Sequence, residues 1–360
     1  MKIGIVTFHW ATNYGAVLQA YALQTYLENS GYQVEIINYV PFRNKFVTTI
    51  SRLLKRNFSY FKTEKKINYF RKKYLHLSKK YSFISSLKDT KDKYNCAIAG
   101  SDQIWNVSFT LQKGKKPNLT YFLSFLDDNV KKISYAASFG TECVPNEYVE
   151  ISKPCLEKFQ CLSVREMSGV QILNKIGFDA ELVCDPTLLI NSQEYQKIMQ
   201  NDFRKKEGLF SFVLHNDENS QKIVSSVLEL TGLSHEMSNS LLSVSEWLCC
   251  IRDSSLVVSN SFHCIMFSLI FKIEKSHDTQ NPDPRHGERH EGGKGDFQSA
   301  EGEEQEEEHD EAADVEHVVE IAGKGVHHAL DDRRVGEGED IRVDVVELLL
   351  HCFPMVFLYC

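Results

Sequence analysis

The segment Gly100–Asn106 concentrates side chains that could do chemistry, because it reads GSDQIWN and directly follows the apolar run CAIA. A helix N-terminus capped by Ser101 or Asp102 would explain one of these residue types but not all of them. A carboxylate such as Asp102 can accept a proton from a hydroxyl group, and an indole such as Trp105 can stack on a sugar ring. We therefore expect Asp102 to be catalytic. The candidates expected to bind substrate here are Gly100, Ser101, Gln103, Trp105 and Asn106.

A histidine, His263, heads a second informative segment, in which VVSNSFH precedes the apolar helical run CIMFSLIF. A single histidine beside an apolar helix is most often a core residue. Here Asn260 and Ser261 stand next to it at the end of a strand-like run, which favours a role as catalytic acid or base. We expect His263 to be catalytic, and Asn260 and Ser261 to bind substrate.

The segment Asn13–Ala16, which reads NYGA, lies between the first strand-like run and a helical pattern. A small residue there lets a ligand approach the backbone, and the N–H groups and dipole of a helix N-terminus favour an anion. The alternative is an ordinary tight turn with an asparagine cap, since one glycine does not make the G-x-G-x-x-G phosphate pattern. The residues expected to bind substrate here are Asn13, Tyr14, Gly15 and Ala16.

Two further segments end strand-like runs with polar residues. Ser138 and Gly140 belong to the turn SFGT, and Arg165 follows the run CLSV. The planar fork of donors on an arginine suits a carboxylate or a phosphate, whereas a plain surface pair with Glu166 is the simpler interpretation. Ser138, Gly140 and Arg165 complete the expected substrate-binding set.

These segments share one position in the predicted fold, the carboxyl end of a strand, where open α/β sheets bind their ligands. A helix is predicted after the first strand, because apolar residues recur at helical spacing from Val17 to Leu27 and the pattern stops at Gly31. Such a strand–helix–strand unit opens a doubly wound α/β domain. The predicted strands are KIGIVTF (2–8), VEIINY (34–39), CAIAG (96–100), KKISYAAS (131–138), CLSV (161–164), AELVC (180–184), Phe210–Leu214 and Ser255–Val258.

Two α/β domains are predicted, a Rossmann-like domain over 1–185 and a partial second one over 186–273. The first contains a basic insertion at 43–93, which holds 16 basic and 3 acidic residues interleaved with aromatic ones. Helices with solvated basic faces and inward aromatic side chains are the simpler interpretation. The functional one is peripheral docking to an anionic membrane or to a phosphorylated acceptor. Nucleic acid is not expected, because no recognition motif accompanies the charge.

The chain has 360 residues, 41 of them basic and 49 acidic, and 42% of its residues are hydrophobic. This composition excludes a wholly disordered or collagen-like protein. No apolar run reaches the roughly 18 residues of a membrane-spanning helix. The N-terminal MKIGIVTF lacks the features of a signal peptide, so no export signal is expected. The ten cysteines show no metal-ligand spacing, and we expect reduced thiols and no metal site.

The charge changes sign near residue 274. Residues 1–273 hold 33 basic and 25 acidic residues, whereas 274–360 hold 8 and 24. The stretch 301–316 contains ten acidic residues, and such a segment buries too little apolar surface to fold. Three interpretations are open: a disordered acidic tail, an irregular His/Glu metal tract, and a reading frame lost near residue 274. We favour the lost frame, because the amphipathic pattern stops abruptly; an intact frame in resequenced coding DNA would contradict it.

Six segments, taken together and in order, resemble the polysaccharide pyruvyl transferase family: NYGAVLQAYAL, CAIAGSDQIWN, ISYAASFG, SVREMSG, VCDPTLL and VVSNSFHCIMFSLIF. The resemblance covers residues 1–273. It implies a GT-B-like α/β architecture in which two Rossmann-type domains face a cleft, with the second domain incomplete here. It also implies transfer of pyruvate from phosphoenolpyruvate to sugar hydroxyls of a cell-surface polysaccharide or its precursor, with no metal or organic cofactor.

The resemblance also implies roles for individual residues. His263 matches a histidine at the start of a second-domain helix and is expected to protonate the donor. Arg165 matches a strand-end arginine expected to hold the donor's carboxylate or phosphate, and Asp102 is expected to take the hydroxyl proton. Many members have an Arg-aliphatic pair before the histidine, whereas this chain has Ser261-Phe262. That departure is consistent with a subgroup that uses another donor or acceptor.

Two other functions are compatible with the sequence. A nucleotide-sugar glycosyltransferase would share the architecture. An inactive remnant would result if the aberrant C-terminus left a sheet edge open. The expected partners are phosphoenolpyruvate and a sugar acceptor, including a lipid-linked one. The expected location is the cytoplasm and the inner face of its membrane.

Overall fold

A parallel sheet organises the first half of the chain. The computed structural model describes residues 1–41, 58–111, 116–199, 208–214, 218–237, 242–278 and 357–359. The first six strands are β1 (Lys2–Val6), β2 (Gln33–Ile36), β3 (Cys96–Ala99), β4 (Lys131–Ser134), β5 (Ser163–Val164) and β6 (Glu181–Leu182). The first four form a parallel sheet in the order β2-β1-β3-β4, and β5 pairs with β6. Parallel bridges from Ile133 to Cys161 and from Ala137 to Val164 join β5 to β4, so the order continues to β6.

A second sheet follows in the second half of the chain. Its strands are β7 (Leu209–Phe212), β8 (His235–Met237), β9 (Leu256–Ser259) and β10 (Phe357–Tyr359). Their order is β10-β9-β7-β8; β7 is parallel to both its neighbours, and β10 is antiparallel to β9. The edge of β9 would be open if no C-terminal segment paired with it, but here it is paired with β10.

Helices connect most of the strands. In chain order they are α1 (Tyr14–Asn29), α2 (Phe58–Tyr74), α3 (Val107–Thr110), α4 (Asn146–Leu156), α5 (Met167–Lys175), α6 (Ser192–Gln196), α7 (Glu218–Thr231), α8 (Val244–Asp253) and α9 (Phe262–Asp278), with 3-10 turns at Ile84–Thr90, Thr120–Phe122 and Pro186–Leu188. The α/β class with parallel sheets that the sequence predicts is confirmed. Residues 279–356, which include the acidic stretch 301–316, lie outside the described ranges.

Helix α1 is the central element of the packing. Every residue from Tyr14 to Thr25 is buried, which is the pattern of a helix covered on all sides rather than on one face. It ends where the sequence predicts, since Ser30 follows its last residue and Gly31 has φ 84°, the left-handed conformation that glycine adopts without strain.

One hydrophobic core links the two sheets through α1. Ile5 of β1, Val17 of α1, Trp247 of α8 and Phe267 of α9 belong to the same buried cluster. Residues Met1–Phe271, which carry both β1 and β9, belong to one compact unit. The predicted division of the chain near residue 185 stays a prediction.

An aromatic cluster fixes the start of α1 against the second sheet. The Tyr14 and Trp247 rings stack at 5.0 Å with an interplanar angle of 11°, and the Tyr14 hydroxyl donates to the Leu242 carbonyl at 2.8 Å. Phe212 of β7 and Phe267 of α9 meet the Trp247 ring edge-on at 5.5 and 5.8 Å. The N-terminus of α1 is thereby held at one place relative to β7 and α9.

The basic insertion is described from residue 58 onward and contains α2 and the 3-10 turn Ile84–Thr90, joined by a segment in which Leu77 and Tyr81 form isolated parallel bridges with Ile36 and Tyr39. Phe70 and Tyr81 pack inward as expected. Tyr69 does not, because it is 61% exposed; the expectation of inward packing is wrong for this residue. Phe46 lies outside the described residues.

Three expectations concern the chain as a whole. Among the helices in the described ranges, none is long and apolar enough to cross a membrane. The described cysteines form no disulfide with one another. No group of His, Cys, Asp and Glu side chains in the described part of the chain is placed to hold a metal ion.

We predict that Trp247→Ala lowers the free energy of unfolding by about 3–5 kcal/mol, because it removes a fully buried indole from the joint between the sheets. Urea denaturation measures this loss. The matched control is Leu230→Ala on α7, whose side chain is 56% exposed and whose loss should change stability by only about 0.5 kcal/mol. Equal effects of the two substitutions would contradict the role of Trp247.

Candidate functional site

The candidate residues lie on loops that leave the carboxyl ends of β1, β3, β4, β5, β6 and β9. Hydrogen bonds tie these loops to one another. Thr7 Oγ1 donates to the Ser101 carbonyl at 2.7 Å, and the Trp105 and Ser138 backbones are joined at 3.1 Å. The structure therefore places these residues beyond the carboxyl ends of parallel strands, where the sequence predicts the site.

A buried carboxylate, Asp185, is the centre of the site. Its Oδ2 accepts hydrogen bonds from Ser101 Oγ and Arg165 Nη1, both at 2.8 Å. Its Oδ1 accepts from the backbone N–H and the hydroxyl of Thr187 at 3.1 and 2.8 Å. Asp185 therefore joins the ends of β3, β5 and β6.

The charge of Asp185 is stabilised by its neighbours. Burial by itself raises the pKa of this carboxyl, but the charges of His263 and Arg165 outweigh burial and hold the pKa well below its usual range. The carboxylate therefore stays ionised at neutral pH and keeps its partners in place.

His263 is the second residue of α9 and is 8% exposed. Its Nε2 lies 3.7 Å from Asp185 Oδ2, which is longer than a hydrogen bond but close enough for an ionic attraction whenever the imidazole is protonated. Within the described residues, Nε2 has no hydrogen-bond partner. A buried polar atom without a partner is costly, and it marks a place where a ligand can supply the missing bond.

Gly15 makes room for this histidine. A Cβ atom on Gly15 would lie 2.1 Å from His263 Nδ1 and 2.2 Å from its Cγ, so any other residue at this position would displace the imidazole. Gly15 is the second residue of α1, and His263 is the second residue of α9. The first turns of two long helices therefore meet at the imidazole, and both present backbone N–H groups without intrahelical acceptors.

Arg165 stands between Asp185 and the accessible part of the site. Its Nη2 lies 4.0 Å from Asp102 Oδ1, and its Nε lies 3.6 Å from Glu166 Oε2. Burial lowers the pKa of the guanidinium, but the three surrounding carboxylates outweigh burial and raise it. Arg165 therefore stays cationic. A plain surface pair with Glu166 does not describe it, because its hydrogen-bonded partner is Asp185.

Asp102 has an unusual backbone. Its φ of 84° is left-handed, which is uncommon for a residue other than glycine. Its Oδ1 accepts from the backbone N–H of Gln103 at 2.8 Å, and its side chain is partly exposed. A strained residue of this kind persists where its surroundings fix it, often at functional sites.

Glu166 is a second partly exposed carboxylate near Arg165. It accepts hydrogen bonds from Ser138 Oγ and from the backbone N–H of Gly140. Gly140 has φ 62°, and a Cβ there would lie 2.6 Å from the Gln103 side chain. The predicted residues Ser138, Gly140 and Gln103 thus lie together, and the first two orient Glu166.

The loop after β1 is held from the side by α2. Arg71 donates to three successive carbonyls, those of His9, Trp10 and Ala11, at 2.7, 3.0 and 2.5 Å. Glu64 accepts from Thr12 and lies 3.3 Å from Arg71. The basic insertion therefore supports the loop that leads into α1.

Trp105 does not have the role expected from the sequence. It is 0% exposed, its ring stacks on Phe122 at 5.5 Å and its Nε1 donates to the Tyr121 carbonyl at 3.1 Å. No face of the indole is open to a sugar ring, so the expectation of stacking is wrong. An indole at a strand end is explained here by core packing.

Three other candidates, Tyr14, Ala16 and Gly100, are buried, and their expected contacts with substrate stay predictions. Tyr14 uses its ring and hydroxyl on Trp247 and Leu242. Ala16 is buried, and a Cβ on Gly100 would lie 3.2 Å from Thr7. Ser101 is also buried, but it donates a hydrogen bond to Asp185 and so helps to hold that carboxylate in place.

The asparagines among the candidates terminate or connect backbone elements. Asn13 caps α1 by accepting from Ala16 N at 3.2 Å, and Asn106, rather than Ser101 or Asp102, caps α3 by accepting from Ser108 N at 3.0 Å. Asn260 accepts from Leu214 N at 2.8 Å and so joins the ends of β7 and β9. Ser261, also buried, starts α9 by accepting from Ile265 N through its carbonyl.

Two residues of the site, Asp185 and Glu166, are not among the candidates predicted from the sequence. Asp185 follows the predicted strand AELVC and begins the polar cluster DPT, so the rule that selected Asp102 would also have selected it. Glu166 was considered only as a surface partner of Arg165.

Comparison with known proteins gives one family match. The family model described as polysaccharide pyruvyl transferase matches residues 13–274. No curated protein matches the chain. Among solved structures, the UDP-GlcNAc 2-epimerase from Methanocaldococcus jannaschii is similar, with 12% identity, a TM-score of 0.42, and coverage of 76% of this chain and 82% of the epimerase chain.

We predict that Asp185→Asn lowers stability at pH 7 by about 3–5 kcal/mol, because it leaves the buried Arg165 guanidinium without its charged partner. The folded-state pKa of Asp185 is depressed, so its contribution is complete above the unfolded-state value of about 3.9 and is lost as the pH falls through the folded-state value. The difference between the two proteins should therefore shrink below about pH 4.

Urea denaturation at pH 7 and pH 3 measures both effects. Asp89→Asn is the matched control, because it removes an exposed carboxylate paired with Lys79 and should cost at most about 1 kcal/mol. A deficit in Asp185→Asn that is the same at both pH values would contradict the assignment.

Proposed function

Because the chain belongs to the polysaccharide pyruvyl transferase family and is therefore a transferase, we propose that it moves pyruvate from phosphoenolpyruvate to hydroxyl groups of a sugar. The sugar belongs to a cell-surface polysaccharide or its precursor, and the product is a ketal. The reaction as proposed uses phosphoenolpyruvate as donor substrate and no organic cofactor or metal.

One observation carries the proposal: the first turns of α1 and α9 meet at an imidazole whose Nε2 has no hydrogen-bond partner among the described residues. Each helix N-terminus contributes about half a positive charge and free N–H donors, which suits a phosphate or a carboxylate. A small dianion or trianion would satisfy both helix ends and the buried nitrogen.

The charges around Arg165 decide which side of the site the donor occupies. One guanidinium faces the carboxylates of Asp185, Asp102 and Glu166. Asp102 and Glu166 are partly exposed carboxylates that would repel a trianionic donor, whereas the carboxylate beside His263, that of Asp185, is already paired with Arg165. We therefore place the donor on the His263 side, at the first turns of the two helices. Arg165 Nη1 is engaged with Asp185, which leaves its other N–H groups for the donor or the acceptor.

The chemistry requires three proton transfers. A sugar hydroxyl oxygen attacks C2 of phosphoenolpyruvate while C3 gains a proton. His263 gives that proton in this proposal, because its imidazole lies at the meeting point of the two helix ends where the donor is placed. Asp102 takes the proton of the attacking hydroxyl. A second hydroxyl then attacks C2, phosphate leaves with that hydroxyl's proton, and the ketal closes.

We predict that His263→Ala reduces pyruvyl transfer by about a hundredfold or more, because the proton donor to C3 is lost. The measurement is release of inorganic phosphate from phosphoenolpyruvate in the presence of polysaccharide precursors. His76→Ala is the matched control, since His76 is exposed and pairs with Glu28; it should retain full activity.

Full activity in His263→Ala would overturn the catalytic assignment. A nucleotide-sugar glycosyltransferase is the competing function, and a binding assay separates the two. Saturable binding of nucleotide sugars, with none of phosphoenolpyruvate, would replace the proposed function.

We also propose that α2 docks the protein on an anionic membrane surface. Its outward face carries the exposed side chains of Lys62, Lys65, Tyr69, Lys72 and Lys73. Basic side chains near an anionic bilayer contribute about 1 kcal/mol each, and the exposed tyrosine suits the headgroup region. Docking there would bring the loop supported by α2 close to a lipid-linked acceptor.

We predict that replacing Lys62, Lys65, Lys72 and Lys73 by Gln weakens binding to vesicles containing phosphatidylglycerol by about tenfold or more. Co-sedimentation with vesicles measures this. The control replaces the same number of exposed lysines elsewhere, at 153, 158, 175 and 197, and should retain binding. An equal loss of vesicle binding in both variants would indicate that net charge alone determines binding, and would contradict docking through α2.

A further inference from the structure

An exposed aromatic ring lies beside two residues of the candidate site, Arg165 and His263. Phe262, the first residue of α9, is 42% exposed, although its neighbours Ser261 and His263 are buried. An exposed phenyl ring is apolar surface that the fold leaves in water. Phe262 also belongs to the pair Ser261-Phe262, which stands where many members of the family have an Arg-aliphatic pair.

The Phe262 ring is fixed in direction by two contacts. The guanidinium carbon of Arg165 lies 4.7 Å from the ring centroid, and the His263 ring meets it at 5.1 Å with an interplanar angle of 87°. A guanidinium over the face of a phenyl ring is an attractive cation–π contact. Phe262 is nevertheless 42% exposed, so the ring stays in contact with solvent beside Arg165 and His263.

This arrangement has the chemistry of a sugar subsite. A pyranose has a face of C–H groups that packs on an aromatic ring and loses contact with water, and a rim of hydroxyls that needs hydrogen-bond partners. Phe262 offers the ring. Asp102, Glu166 and Arg165 offer acceptors and donors within reach of one another.

The donor is a poor match for the same surface. The face of a phenyl ring is electron-rich, so it repels a phosphate or carboxylate, and phenylalanine has no donor group to bind one. The small anionic donor is therefore expected at the helix ends beside Gly15 and His263, and the ring is left for the other substrate.

We propose that Phe262 is the platform on which the sugar ring of the acceptor stacks, with the reacting hydroxyls directed at Asp102. This inference rests on the proposed function and adds to it the residue that recognises the acceptor. Trp105, to which the sequence analysis gave this role, is buried in the core.

The test compares Phe262→Ala with Phe262→Tyr, which keeps the ring. Steady-state kinetics of phosphate release give KM values for both substrates. Phe262→Ala should raise the KM for the sugar acceptor about tenfold or more, with the KM for phosphoenolpyruvate unchanged, and Phe262→Tyr should restore the acceptor KM. Phe83→Ala, which removes an exposed phenyl ring far along the chain, should change neither value.

Three results would overturn the inference: an unchanged acceptor KM in Phe262→Ala, a rise in the KM for phosphoenolpyruvate alone, and failure of Phe262→Tyr to restore acceptor binding. The second would mean that the ring serves only to hold Arg165.

A direct binding measurement separates this inference from the proposed function. Saturation-transfer NMR with methyl glycosides of common hexoses reports sugar binding to the full chain without any turnover. If no sugar supports phosphate release but the wild-type protein binds glycosides and Phe262→Ala does not, pyruvyl transfer is wrong and the sugar platform stands. If the wild-type protein binds none of them, the platform is wrong.

Discussion

The structure depends on one buried negative charge, that of Asp185. This carboxylate receives a hydroxyl from the end of β3, a guanidinium from the end of β5 and the backbone of its own turn after β6, and it lies 3.7 Å from the imidazole at the start of α9. Four loops from distant parts of the sequence are therefore positioned by a single group. An ionised carboxylate in the interior is stable only when its partners are all present, so the arrangement is cooperative.

The second constraint is steric. The imidazole of His263 occupies the space where the side chain of residue 15 would be, and this contact brings two helix N-termini to one point. The stacked rings of Tyr14 and Trp247 hold the N-terminus of α1 against α8. Arg71 holds the loop that precedes α1. Each of these contacts comes from a different element, and all of them serve to orient the same few N–H groups.

Much of this could be predicted from the sequence, for a physical reason. Buried parallel strands read as short apolar runs, and polar residues directly after them mark the edge at which ligands bind; His263, Gly15, Asp102 and Arg165 were found in this way. Their partners were not, because hydrogen bonding across loops has no signature in local spacing. Trp105 was misjudged because an indole next to polar residues looks the same in sequence whether its ring points inward or outward. The role of Glu166 depends on a turn at Gly140, 26 residues away in the chain.

The continuous core between the two sheets has a consequence for how substrates enter and leave. Two-domain enzymes commonly open and close about a hinge, but a hinge here would have to separate Val17 from Trp247 and Phe267, all fully buried in one cluster. Exposing that surface in every cycle would carry a large free-energy cost. Substrate entry and product release must instead rely on small rearrangements of the surface loops. The rate of product release should therefore follow the motion of these loops rather than a rigid-body rotation of one sheet against the other.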